Sequence, residues 1–259
     1  MNTHPFSRNH RTRLGRSSRT ITTRAQSTIP HAHRDCKSEL RKSHASGYSD
    51  AGSLKAPQAE QNFLLRQQAL SAAQQGNHVA AIALFSELIL NNPSNASDYS
   101  NRGLVYFQNG QIEAALEDYN RAIGLNPRLD SAYNNRANYY AAQGQFLEAI
   151  LDYDIALDLN PTNVRAWINQ GITFRELEMY DRALESFDLA LCLGKLEGHI
   201  YAERGRTYHL RGDWNCAIAD YQRALVELPD TSSSLKNPSV RLYHQVEVWM
   251  DKLLSPLRP

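Results

Sequence analysis

The sequence is poor in the residues that most often carry chemistry. Its 259 residues include three cysteines, Cys36, Cys192 and Cys216, and no Cys-x-x-Cys pair. Such scatter excludes a disulfide framework and offers no zinc signature. Three small, partly buried thiols in a reducing compartment are the expectation. No apolar run approaches the roughly 18 residues of a membrane span. Residues 1–34 contain no apolar core of the kind a secretory leader requires. There is no G-x-S-x-G, no glycine-rich phosphate loop and no H-E-x-x-H, so the familiar hydrolase, nucleotide and metallopeptidase chemistries have no motif here. Among nine histidines, His31 and His33 near Cys36 form only a weak candidate metal contact. His199 and His209, with Glu203 between them, form an equally weak candidate dyad. Polar surface explains both better, so no metal, no cofactor and no enzymatic reaction is expected.

Acidic residues are missing from the first 34 positions, which hold seven arginines and no lysine. Residues 1–58 carry 11 Lys or Arg against 3 Asp or Glu, a balance of +8, while residues 59–259 carry 17 against 24, a balance of −7. A Ser-, Thr- and Arg-rich stretch without hydrophobic periodicity buries too little apolar surface to offset its ordering entropy. Disorder is therefore expected to about residue 56. Three roles fit this composition: a solvated tail, a segment that contacts nucleic acid or anionic membrane, or an organelle transit peptide. The expected location is cytoplasmic, or the plastid stroma if residues 1–34 are a transit peptide.

What the chain does have is repetition. NRGLVYFQNGQIEAALEDYNRAIGLNP, from Asn101 to Pro127, returns in altered form as NRANYYAAQGQFLEAILDYDIALDLNP, from Asn135 to Pro161. With starts at Asn62, Ala96, Asp130, Val164 and Gly198, the fourth place holds Leu65, Tyr99, Tyr133, Trp167 and Tyr201. The eighth holds Ala69, Gly103, Ala137, Gly171 and Gly205, and the eleventh Ala72, Tyr106, Tyr140, Phe174 and Tyr208. The twentieth is always alanine, followed by an aromatic at Phe85, Tyr119, Tyr153, Phe187 and Tyr221. Large residues seven apart mark one helix face, and small ones let two helices approach. Gly76, Gly110, Gly144 and Gly212 are expected to stop the first helix of their repeats, with Glu178 standing in the fourth. Proline closes the second helix at Pro93, Pro127, Pro161 and Pro229. Lys195 replaces it in the fourth repeat, leaving Gly194 and Gly198 to break the chain there.

These places and their period resemble the tetratricopeptide repeat, a helix–turn–helix unit of about 34 residues, in its bacterial and cyanobacterial wording. The resemblance implies an all-α fold, a right-handed α-solenoid of five repeats (62–95, 96–129, 130–163, 164–197 and 198–231). The basic segment 1–58 precedes them, and a linker and capping helix follow within 232–259. In the latter, Leu242, Val246, Trp249, Met250 and Leu253 form one apolar stripe. Asn237 or Ser239 is positioned to cap that helix and Pro256 to end it, with Trp249 in the core. The resemblance also implies a non-enzymatic scaffold that binds a segment of a partner protein in a concave groove; a tethering or membrane-complex assembly factor is the alternative.

Two finer expectations follow. Arginine at the seventh place (Arg102, Arg136, Arg204) accompanies aspartate at the twenty-third (Asp118, Asp152, Asp220), and both vanish together in the first and fourth repeats. An ion pair joining the two helices of a repeat accounts for this, with heads no more than about 5 Å apart. The groove is expected to present Asn101, Asn134, Asn135, Asn138 and Asn169, a row of amides suited to a peptide backbone, with Arg165, Arg175 and Arg206 at a mildly basic end. Arg66 and Asn101 match the family's two-carboxylate clamp in part, but Leu70, Ser131 and Asn135 do not complete it. No small-molecule substrate is expected.

Overall fold

The computed structural model describes residues 55–229 and 237–255, the side chains of 55–57 excepted. The expectations for residues 1–54, for the loop 230–236 and for Pro256 lie outside the described residues. Within the described residues eleven helices run in chain order: α1 (Lys55–Gln74), α2 (His78–Asn91), α3 (Ala96–Gln108), α4 (Ile112–Leu125), α5 (Asp130–Ala142), α6 (Phe146–Leu159), α7 (Val164–Glu176), α8 (Tyr180–Cys192), α9 (Glu197–Arg211), α10 (Trp214–Glu227) and α11 (Pro238–Leu254). The first ten pack as five antiparallel pairs, each against the next. This is an α-solenoid. Helix α1 begins ahead of the repeat frame, at Lys55 rather than near Asn62.

Each boundary has a local cause. The backbone at Gly76, Gly110, Gly144 and Gly212 is left-handed, with φ between +72° and +94°, and closes the first helix of the pair. At Gly144, for example, the following Gln145 N–H donates to the Tyr140 carbonyl at 2.9 Å, tying off an otherwise orphaned acceptor. At the other end of the first three pairs the Asn-Pro dipeptide works on both sides. The Asn126 N–H donates to the Ala122 carbonyl at 2.9 Å to end α4, while its Oδ1 accepts from the Arg128 N–H at 3.0 Å to start the turn. Proline then denies the helix its next donor.

The fourth repeat departs from its siblings, and the structure corrects one expectation there. Glu178 adopts φ +59° and closes α7 as the glycines do, with the Met179 N–H donating to the Phe174 carbonyl at 2.9 Å. A side chain in this region costs about 1–3 kcal/mol. Glu178→Gly is expected to raise stability by about 1 kcal/mol once the greater freedom of unfolded glycine is counted, read as a higher midpoint in urea. Further on, Gly194 (φ +62°) does break the chain, but its partner is Leu196 (φ +58°), not Gly198. Gly198 lies buried in the first turn of α9, where a Cβ would meet Leu228 Cγ at 3.0 Å. It serves close packing.

The core follows the small-versus-large pattern. Tyr119, Tyr153, Tyr221, Phe85 and Phe187 are almost wholly enclosed. Three of them lie against a glycine: a Cβ on Gly103, Gly171 or Gly205 would stand within 2.9 Å of the ring of Tyr119, Phe187 or Tyr221. Burial raises the pKa of the Tyr119 and Tyr153 phenols well above the ordinary tyrosine range and pushes Tyr221 up to about 12. The expectation of partly buried thiols fails at both described cysteines, since Cys192 and Cys216 are exposed; both sit on second helices, outside the aromatic seam.

Helix α11 occupies the place of a sixth first helix. Its start is capped by Asn237, whose Oδ1 accepts from the Ser239 N–H at 3.0 Å, with Pro238 in the first turn. Leu242, Val246 and Trp249 repeat the large–small–large spacing of Tyr99, Gly103 and Tyr106, and they pack on α9 and α10 with Val246 fully buried. The last pair is thereby covered, as the end of a repeat stack requires.

Candidate binding groove

The first helices of successive pairs touch: α3 meets α5, α5 meets α7, α7 meets α9, and α9 meets α11. The second helices make no approach of that size among the described residues. The stack therefore bends with the first helices inside, and their inner residues line a groove.

The groove wall is braced from behind by arginine. The Arg102 Nε and Nη2 donate to both carboxylate oxygens of Asp118 at 2.8 Å each. Arg136 does the same to Asp152 (2.7 and 2.8 Å), and Arg204 to Asp220 (2.7 and 2.9 Å). These are the three pairs that the sequence pattern anticipates, in the bidentate geometry that makes guanidinium–carboxylate contacts strong and directional. The third nitrogen of each arginine reaches back to the preceding repeat. It donates to Ser86 Oγ (3.0 Å), Asn120 Oδ1 (2.7 Å) and Asp188 Oδ1 (2.5 Å) in turn. The fourth repeat replaces this arrangement with a neutral one. Gln170 Nε2 donates to Asp154 Oδ1 at 2.7 Å, and Ser186 Oγ donates to Gln170 Oε1 at 2.9 Å. The polar column Ser86, Asn120, Asp154 and Asp188 recurs at the same place of four successive repeats, a signal that would have revealed the backward link.

On the inner surface the amides fall into two groups. Asn135 Nδ2 donates to Ser100 Oγ at 3.2 Å, and Asn169 Nδ2 donates to Asn138 Oδ1 at 2.9 Å; Asn138 Oδ1 also accepts from the Tyr153 hydroxyl at 2.7 Å. The first two bonds stitch one first helix to the next and leave each Asn135 and Asn169 amide further capacity. Asn134 Oδ1 is buried without a hydrogen-bond partner. Asn101 is half-buried and borders a cavity of about 390 Å³ with Leu70, Ala73 and Leu104. A second cavity, of about 490 Å³, lies between Ile168, Asn169, Ile172, Leu196, His199 and the first turn of α11 at Pro238 and Ser239. Arg165 borders both cavities.

Family models decide what this array is. One described as TPR repeat matches residues 103–144, and one described as tetratricopeptide repeat matches residues 131–163. Residues 103–163 are tetratricopeptide repeats. Among solved structures it is similar to a thermophilic TPR protein of Thermus thermophilus, at 20% identity and a TM-score of 0.60 over 75% of this chain and 99% of that one. It is likewise similar to PilF of Pseudomonas aeruginosa, at 19% identity and a TM-score of 0.60 over 78% and 94%. The MamA protein is similar at 18% identity and 0.53 over 65% and 92%. At such identities the likeness is one of fold. No curated protein sequence matches the chain.

The TPR fold is that of a protein-interaction scaffold, and its members are in general not enzymes. Here several of the groove's cations are internally engaged. Arg66, the partial match to a carboxylate clamp, is held bidentately by the buried Asp98 of the next repeat at 2.7 and 2.8 Å. Arg175 Nη1 donates to Glu203 Oε2 at 2.6 Å, and Arg206 lies over the Trp249 ring at 5.3 Å. Arg165, exposed at the start of α7, makes no hydrogen bond or ion pair among the described residues. Burial lowers the pKa of the His199 imidazole, with Arg165 adding to the effect, and burial beside Arg206 lowers that of His209. His199 Nε2 lies 3.3 Å from Ser239 Oγ and His209 Nδ1 lies 3.2 Å from the Tyr221 hydroxyl; the two imidazoles thus have separate partners. Among the described residues no cluster of His, Cys, Asp and Glu could hold a metal ion, and no helix is long and apolar enough to cross a membrane.

Proposed function

We propose that this protein holds an extended segment of a partner protein in the groove lined by α1, α3, α5, α7 and α9. The observation that carries the reading is the amide row Asn101, Asn134, Asn135, Asn138 and Asn169. These side chains are half-buried on three successive first helices, and Asn101, Asn135 and Asn169 retain donors and acceptors beyond those used between repeats. Amides of this kind satisfy a peptide's N–H and C=O groups without requiring a particular side chain. The apolar floors at Leu70 and Leu104, and at Ile168 and Ile172, accept the side chains such a segment turns inward. Arg165 adds a charge-assisted donor. Arg175 and Arg206 shape the wall through Glu203 and Trp249.

The test compares proteins co-purified by three forms of the full chain. One is wild type, one carries Asn101→Ala, Asn135→Ala and Asn169→Ala, and one carries charge reversals on the outer side at Glu117 and Glu185. Preys kept by the outer variant and lost by the inner one are groove ligands. Asn135 and Asn169 also stitch repeats together, so Asn101→Arg is included as a variant that disturbs no hydrogen bond and fills the cavity. Circular dichroism melts confirm that each form is folded. Preys that survive both inner variants overturn the reading.

A further inference from the structure

The groove's freely presented charge lies in one side chain. Of the inner-face arginines, Arg66 is neutralised by Asp98, Arg175 by Glu203, and Arg206 is covered by Trp249. Arg165 alone among them has no partner in the described residues, and it stands exposed in the first turn of α7, where the helix dipole adds to its positive field. Glu203 borders the same cavity, but its Oε2 already accepts from Arg175 at 2.6 Å.

The position of Arg165 is as informative as its freedom. It belongs to the fourth repeat, yet it borders the cavity floored by Leu70, Ala73 and Leu104 of the first two. The bend of the stack brings those helices across from it. On its other side it borders the cavity floored by Ile168, Ile172 and Leu196. A single unpaired guanidinium thus sits between two apolar hollows.

Resting on the groove reading above, we infer that the bound segment carries an internal Asp or Glu flanked on both sides by an apolar side chain. The carboxylate docks on Arg165, and one apolar residue enters each hollow. Charge complementarity selects an acid, since a lysine or arginine there would face an uncompensated cation. The hollow on each side selects an internal acid over a C-terminal carboxylate, because the ligand chain must continue past Arg165 in both directions. The contact is a charge-assisted hydrogen bond, of the class that a bidentate guanidinium fork makes best.

The experiment uses synthetic peptides, acetylated and amidated so that their termini carry no charge. Each has a central Glu and a Leu on either side, with Gly-Ser spacers of graded length between them. Matched peptides carry Gln or Lys at the centre, or Ala in place of either Leu, and a further arm ends in a free carboxylate directly after the first spacer. Binding to the full chain is read by fluorescence anisotropy near physiological salt. At the best spacing, Glu is expected to bind at least about tenfold tighter than Gln, and loss of either Leu weakens binding. Arg165→Ala removes the difference between Glu and Gln, Arg165→Glu shifts the preference to Lys, and neither lowers the melting temperature.

Equal binding of Glu and Gln peptides, a Glu preference that survives Arg165→Ala, or stronger binding of the free-carboxylate arm overturns the inference. So does absence of binding across the whole set. In each case the co-purification result at Asn101→Arg stands apart: preys still lost there leave the groove reading in place and remove only this ligand class.

Discussion

Asp118→Ala is expected to cost about 3 kcal/mol of folding free energy, seen as a large drop in urea midpoint with little change in slope. The reason is not the strength of the pair itself. Arg102 is only 18% exposed and lies 5.7 and 5.5 Å from the Tyr99 and Tyr106 ring centres. Without Asp118 it retains one neutral acceptor, Ser86 Oγ. A largely buried guanidinium stripped of its counterion bears the desolvation penalty uncompensated. The chain contains its own control. At the corresponding places the fourth repeat uses Gln170 and Ser186, which satisfy each other and Asp154 without any net charge on the pair. The double replacement Arg102→Gln with Asp118→Ser copies that solution. It is expected to recover most of the loss, to within about 1 kcal/mol of wild type, although Arg102→Gln alone leaves Asp118 buried and unpaired. A double variant as unstable as the sum of the singles would show that the pair contributes attraction beyond mutual satisfaction.

Phe187→Ala is expected to be the most damaging single truncation, at about 3–5 kcal/mol. Its side chain is fully enclosed and belongs to a cluster that includes Ile150, Ile168, Phe174 and Ile200. Those residues come from the third, fourth and fifth repeats, so the cavity opens where three units share one wall. The same ring limits Gly171. A Cβ there would lie 2.8 Å from Phe187 Cε1, and the ring is boxed in on its other sides, so Gly171→Ala is expected to cost about 1–3 kcal/mol by overpacking. The two positions should not be additive. Gly171→Ala combined with Phe187→Leu is expected to lose less than the two singles summed, because the shorter leucine yields the space that the new methyl group needs. Thermal melts of the four proteins check both statements, and simple additivity would mean that the glycine and the ring do not share a contact in solution.

The parts of this structure that were legible in the sequence are those the repeat writes more than once. Helix pairing, glycine closures and aromatic–glycine packing each appear at a fixed place, and the Arg–Asp pairs could be read because presence and absence varied together. What was illegible occurs once. Glu178 takes a glycine's backbone shape without a glycine's composition, because the hydrogen bonds that close α7 hold it there. Arg66 with Asp98, and Arg175 with Glu203, are separated by 32 and 28 residues, spacings that the repeat frame does not suggest. These two links decide how much charge the groove keeps, and so the basic end read from the sequence narrows to Arg165 and the ring-covered Arg206. The partners of Asn135 and Asn169 were hidden for a related reason: each bonds across to a residue of the preceding repeat, a contact that exists only once the helices are stacked.

Arg165 facing Leu70 and Leu104 across the bend has a mechanical consequence. The two walls are joined through the intervening joints, so a slight rotation at each adds up to a larger change in the gap between the walls. The array behaves as a shallow coil spring whose opening reports its winding. Whatever spans that gap acts as a strut, stiffening repeats it never touches.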